Sequence, residues 1–322
     1  MASVTLAESA KLAQNDLIAG VIENVITVDR LYEVLSFDGI EGNALAYNRE
    51  NSLGPVATTG INSEGVIGTG ATGTNDTERA AAKNAATFTQ ITSSLTTIMG
   101  DAEVNGLIQA TRSSDGNDQT AVQIASKAKS AGRKYQNMLI NGDGTLFTFP
   151  GLLSLCAASQ EVATATNGSN LSFSLMDQMM DLVTDKDGAV DYISMHSRTI
   201  RSFKALLRAL GGASINETLQ LPSGNKVPVY EGVPIFRNDF IPTDQTQAGS
   251  GAVCTTMFAG TFDDGSRSHG IAGLTASNMA GMAVVDVGES ENSDNRIWRV
   301  KWYAGLALFS EKGLAMTQGI LN

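Results

Sequence analysis

Two segments alternate apolar and polar residues in strand fashion, LYEVLSFDGIEGNALAYNRE at 31–50 and TFTQITSSLTTIMGDAEV from Thr87. Between them runs ENSLGPVATTGINSEGVIGTGATGTNDTERAAAKNA, a stretch of about thirty-five residues rich in Gly, Thr and Asn. A structureless loop of that length inside a compact domain counts against a simple monomer. It is either disordered or an extended excursion ordered by something else, with the flanking β-branched segments as the two strands of one long hairpin. Such an excursion suits reaching another subunit.

Around this loop the periodicities are mixed. Leu6, Ala10, Ala13, Leu17, Val21 and Val25 recur three or four apart and predict an amphipathic arm helix over 5–26. DGNDQTAVQIASKAKSAGRKYQNML, from Asp115, opens with cap-type residues. It then spaces Ile124, Ala128, Ala131, Tyr135 and Met138 for a helix and gathers Lys127, Lys129, Arg133 and Lys134 in its later part, where cations complement the helix dipole. It is the clearest helix of the chain. Further on, SFSLMDQMMDLVTDK and SRTIRSFKALLRALGG predict helices on either side of a short strand, AVDYISMH. The remainder, through KVPVYEGVPIFRNDFIP, VCTTMFAGTF, GMAVVDVG and RIWRVKWYAGLALFS, is strand-like, so the class is α+β.

The 322 residues suffice for one large domain or two moderate ones. Only 17% are charged while Gly numbers 33, so much of the surface is neutral and polar or covered by neighbours. A net charge of −11 argues against a sequence-independent nucleic-acid binder, which needs a basic face to release phosphate counterions. Cys156 and Cys254 stand far apart with no CxxC, which fits two small buried apolar residues better than a disulfide framework or zinc knuckle. The first residues lack the basic-then-apolar pattern of a signal peptide, and no window is apolar enough for a membrane span, so the expectation is a soluble intracellular protein.

Catalytic patterns are missing. His196 and His269 are the only histidines, and no GxSxG elbow or HExxH helix accompanies them. TDKDGAVD, with Asp185, Asp187 and Asp191, resembles part of a calcium loop but lacks the terminal Glu, and reads better as a helix-ending turn. Asp263 and Asp264 before Gly265 read the same way. Gly65, Gly68, Gly70 and Gly73 are followed by no Gly-Lys-Ser/Thr, so a phosphate cradle is not indicated, and Met176, Met179 and Met180 read as adaptable core filler. No catalytic, metal or cofactor-binding residue is assigned, and no cofactor is expected.

The most patterned stretch is VYEGVPIFRNDFIP, residues 229–242. Gly232 permits a turn, Pro234 withholds an N–H, and Pro242 ends the run, as expected of a half-buried edge strand. GVPIFRNDFIP, then MFAGTFDDG, then DNRIWRVKWYAGLALFSEKGLAMTQGI at the end together resemble the tailed-bacteriophage major capsid proteins, the Hong Kong ninety-seven type of shell fold. The order of parts resembles that family too. The resemblance implies an N-terminal arm at 1–37, an extended β-hairpin loop at 38–86, and a peripheral domain at 87–150 with a long spine helix at 115–139. A mainly axial domain at 151–280 and C-terminal strands at 281–322, largely returning to the peripheral domain, would complete it.

The implied function is structural and non-enzymatic: self-assembly as hexamers and pentamers into an icosahedral virion head enclosing double-stranded DNA, assembled in the host cytoplasm. Implied partners are copies of the chain itself, a portal, a separate scaffolding protein and a cementing protein. The family's namesake cross-links a loop lysine to a neighbour's asparagine, whereas no lysine occurs here between Lys11 and Lys83, so no covalent chainmail is expected. Nor is a maturation cleavage, since the arm begins at Met1. Two alternatives stand: an encapsulin-type nanocompartment shell on the same fold, and an acidic metal-dependent hydrolase using Asp185, Asp187 and Asp191.

Overall fold

The computed structural model describes residues 30–54, 84–112, 118–145, 147–184, 188–209, 218–221, 224, 226–246 and 253–321. The arm helix expected over 5–26, the glycines at 65–73, the lysines at 11 and 83, and Asp185 and Asp187 lie outside them. The mixed α+β class holds: among the described residues, helices accompany three sheets.

The chain divides into two units. Among the described residues, one comprises those of 99–132 and 283–301, and the other those of 30–98, 133–282 and 302–321.

In the larger unit, α1 (Arg30–Val34) replaces the strand expected at its start. Leu31 and Leu35 sit four apart, both are buried, and Leu35 N–H donates to the Leu31 carbonyl at 3.0 Å. A one-turn helix puts both on one side, which the alternating letters of RLYEVL also allow. Strand β1 (Phe37–Ile40) then pairs parallel with β13 (Ile271–Ala276), itself antiparallel to the second half of β15 (Asn295–Leu308).

The hairpin read from sequence is present. Strand β2 (Ala44–Ser52) pairs antiparallel with β3 (Thr87–Ser94), from Ala44 opposite Ser94 to Ser52 opposite Thr87, as a two-stranded sheet of its own. Its base is tied down. Tyr47 Oη donates to the Leu308 carbonyl at 2.6 Å, and Arg49 donates to the carbonyls of Leu308 and Phe309 and pairs with Glu311 at 2.6 Å.

The nine-stranded sheet runs β5 (Glu161–Val162), β16 (Leu314–Leu321), β12 (Val253–Gly260), β7 (Tyr192–Met195), β10 (Val233–Arg237), β9 (Lys226–Tyr230), β8 (Thr218–Gln220). Strand β6 (Ser169–Asn170) also joins β16, and β11 (Gln245–Thr246) joins β12. Along each strand alternate side chains face opposite ways. Ile193, Met195, Val233, Ile235, Met257 and Ala259 meet Met176, Met179 and Val183 of α5 (Phe173–Thr184), and Ile200 and Phe203 of α6 (Ser197–Ala209). Burying a side chain the size of Phe203 contributes ~1.5–3 kcal/mol. The methionines are core filler, as read.

The stretch 229–242 is therefore not an edge. Strand β10 lies between β7, to which it is parallel, and β9. Tyr230 and Val233 flank a two-residue turn in which Glu231 (φ 50°) and Gly232 (φ 84°) both take positive φ, the type I′ geometry of tight hairpins. Pro234 is tolerated inside a sheet because it forms the non-hydrogen-bonded pair next to that turn, and pairing with β7 begins only at Ile235.

Helix α3 (Gln119–Asn141) confirms the long helix predicted over 115–139, shifted because Asp118 is its cap: its Oδ1 accepts the Thr120 N–H at 3.0 Å. At 23 residues it is ~34 Å long. Its last turns, in the larger unit, bury Tyr135, Met138, Leu139 and Ile140, and the Tyr135 ring packs on Trp302 at 4.6 Å and Phe149 at 5.3 Å. Elsewhere in that unit α4 (Leu152–Leu155) adds one short turn.

The smaller unit is built from the first half of α3, α2 (Gly106–Arg112), most of β4 (Thr96–Asn105), β14 (Ala283–Glu289) and the first half of β15. Strands β14 and β15 pair antiparallel, with a bulge at Asp286–Gly288. Arg299 clamps Asp101 with two bonds of 2.8 Å, and Arg296 holds Asp286. Gly106 N–H donates to the Asp294 carbonyl at 2.8 Å.

Candidate assembly surface

The residues singled out as candidate chemistry hold loops together. Asp191 Oδ2 accepts the Phe262 N–H at 2.8 Å, ordering the start of the loop after β12. Asp263, Asp264 and His269 gather their polar atoms within 4.8 Å, a spacing at which three ligands could share a cation. Both Asp263 oxygens already accept backbone N–H groups, from Gly265 and Arg267, and Asp264 accepts from Ser266. The turn reading of this segment is the one the geometry follows. His196 caps α6, its Nδ1 accepting the Arg198 N–H at 3.2 Å. Burial, with help from Arg198, Arg237 and Arg201, holds this imidazole below its usual pKa. Arg237 and Asp239 pair with each other at 2.9 Å and closer. Cys254 is buried as expected, whereas Cys156 is half-buried, and burial pushes its thiol up to about 12.

What the larger unit does with its apolar side chains, the smaller one does not. Among its described residues only Ala102, Val104, Ala131 and Val300 are buried apolar side chains, while Met99 is 64% exposed and Leu107 67%. Helix α3 buries nothing before Ala131. Strand β14 ends its sheet with one edge unpaired among the described residues, and Val284, Val285 and Val287 are exposed on both of its faces. An apolar edge with one side unpaired invites another chain. The β2–β3 hairpin adds Phe88 and Leu53, also exposed. Exposed valines alternate too simply to be told from a buried strand by sequence; only the burial of β14 separates the two.

Searched by sequence, the chain matches no protein-family model and no curated protein. Compared by structure, it matches the SrpI encapsulin of Synechococcus elongatus over 99% of this chain and 96% of that one, at TM-score 0.71 and 17% identity. The capsid of a native GTA particle matches over 99% of both chains at TM-score 0.62 and 15% identity. A protein of Microbacterium phage Oxtober96 matches over the full length of both at TM-score 0.60 and 13% identity. The chain has the Hong Kong ninety-seven type capsid fold. At these identities the likeness lies in the path of the backbone, and full coverage means that the Hong Kong ninety-seven type fold accounts for both units. Among the described residues no helix is long and apolar enough to cross a membrane.

Proposed function

We propose that this chain is the major head protein of a tailed bacteriophage, a structural subunit and not an enzyme. It self-assembles as hexamers and pentamers into an icosahedral shell around packaged double-stranded DNA. The observation that carries the reading is the smaller unit, whose exposed apolar side chains and β14 edge have no cover among the described residues of that unit. Neighbouring copies supply that cover in a closed shell. On this reading the β2–β3 hairpin is the base of the extended loop, α3 the spine helix, and the nine-stranded sheet the axial domain. Portal, scaffolding and cementing proteins are its partners, and the particle matures in the host cytoplasm before release as a virion.

The fold match to an encapsulin supports a second reading, a nanocompartment shell. One experiment tests both. Purified protein is imaged by negative-stain microscopy, and particles from the native source are analysed after nuclease treatment. Closed shells with protected duplex DNA of genome length support the head protein. Shells with protein contents and no DNA support the compartment. A stable monomer at high concentration refutes both.

A further inference from the structure

Helix α6 carries Arg198, Arg201, Lys204 and Arg208 and no acidic residue. At three- and four-residue spacing these project from the side opposite buried Ile200 and Phe203, and all four are exposed. Among the described residues none reaches a carboxylate within ion-pair distance. Arg208 Nε turns back instead to the Lys204 carbonyl at 3.2 Å. Four cations in a row that meet no carboxylate among the described residues are conspicuous in a chain of net charge −11.

A complementary surface lies on the other face of the same sheet. Since Val233 and Ile235 face α6, Pro234 and Phe236 face away from it. There Phe236 lines an apolar hollow of about 820 Å³ with the exposed side chains of Val34 and Leu219, and Asp191, Asp263 and Asp264 stand around it. Among the described residues no lysine or arginine lines this hollow. Nearby Arg267 is bound to Asp38 at 2.6 Å, and the imidazole of His269 is 4.0 Å from Asp264.

We propose that α6 of one copy lays its cationic side on the acid-rimmed hollow of the next copy. The inference rests on the shell reading and deepens it. The four charges span ~15 Å of helix, enough to meet carboxylates on both sides of the hollow. The two surfaces differ and occupy opposite faces of one sheet, so the contact is head-to-tail: repeated, it closes a ring instead of pairing two copies. Duplex DNA fits α6 less well, because four cations are few beside a net charge of −11.

The test uses the full chain in three forms: wild type, a cation-reversed variant R201E/K204E/R208E, and a rim-reversed variant D191K/D264K. Circular dichroism checks folding, and sedimentation velocity with negative-stain microscopy reads assembly. Wild type is expected to assemble. Each variant alone should need a concentration on the order of tenfold higher. An equal mixture should recover six-membered rings, where alternating copies place opposite charges at every junction, whereas a five-membered ring keeps one like-charged junction. If a reversed variant does not fold, R201Q/K204Q/R208Q and D191N/D264N take its place, with the same loss of assembly expected and weaker salt dependence. Either folded variant assembling alone at the wild-type concentration overturns the proposal, as does a mixture of folded variants that forms no six-membered rings. A cation-reversed variant that assembles normally but loses duplex DNA binding makes DNA the partner and overturns it too. Wild type that never oligomerises refutes the shell reading itself, and this contact with it.

Discussion

Replacing Gly260 by alanine probes how tightly the nine-stranded sheet is fitted. Gly260 pairs directly across the strands with Tyr192, whose fully buried ring lies over it. An added Cβ would stand 2.6 Å from Tyr192 Oη, 2.8 Å from Cζ and 3.0 Å from Cε1. Tyr192 cannot swing clear, because its other side stacks on Phe262 with ring centroids 4.7 Å apart. Overpacking of a core costs ~1–3 kcal/mol, and a wedge against a ring held on both sides belongs at the upper end. Losing a glycine from the unfolded chain returns ~0.5–1 kcal/mol. The net expectation is ~2 kcal/mol of destabilisation, read as a lower urea midpoint at unchanged slope for unassembled subunits. Tyr192→Ala alone should cost ~3–5 kcal/mol. The double variant should cost clearly less than the two together, since the ring that clashes is gone. Strict additivity, or a Gly260→Ala cost below ~0.5 kcal/mol, would show that the ring does not depend on the missing side chain.

Three further outcomes are expected. Val285→Lys, on the exposed edge strand, should shift subunit stability by no more than ~0.5 kcal/mol yet abolish shell formation, as sedimentation would show. Hydrogen bonds from Thr148, then from the backbone and hydroxyl of Thr145, hold the Asp143 carboxyl down at about 2. A lowered folded pKa stabilises above the unfolded value and is lost as pH falls through about 2. The urea midpoint should therefore drop between about pH 4 and 2, and drop less in Asp143→Asn. Finally, mature particles boiled in detergent should run as single chains on gels, since no lysine lies between Lys11 and Lys83; a ladder of linked subunits would contradict this.

Sequence reading was strongest where one periodicity acted alone. Ile124, Ala128, Ala131, Tyr135 and Met138 announced α3, and the paired alternation before and after the Gly-rich loop announced β2 and β3. It failed where two geometries share a pattern. Leu31 and Leu35 suit a strand or a single helical turn, and only their common burial decides. Pro234 suggested an edge because a proline's missing N–H is usually left to solvent; the type I′ turn two residues earlier sets a register in which that position makes no bond. Arg237 and Asp239, two residues apart in the same stretch, pair with each other. The surfaces were the least legible part. The cations of α6 are plain in SRTIRSFKALLR, but their lack of carboxylate partners is a fact of three dimensions. So is the hollow on the other face, assembled from residues as distant as Val34 and Asp264.

On the shell reading, the exposed apolar side chains of the smaller unit also set terms for the subunit's life outside a particle. Mass action ties the stability of such a body to the concentration of its own copies: dilution loosens it and crowding on a growing shell firms it. A subunit knocked out of a finished shell would present β14 and α2 to water, and aggregation would compete with return to the shell. Heat or denaturant should therefore produce precipitate in place of reusable subunits, and the particle's endurance would be a matter of rate, governed by how slowly the first copy leaves.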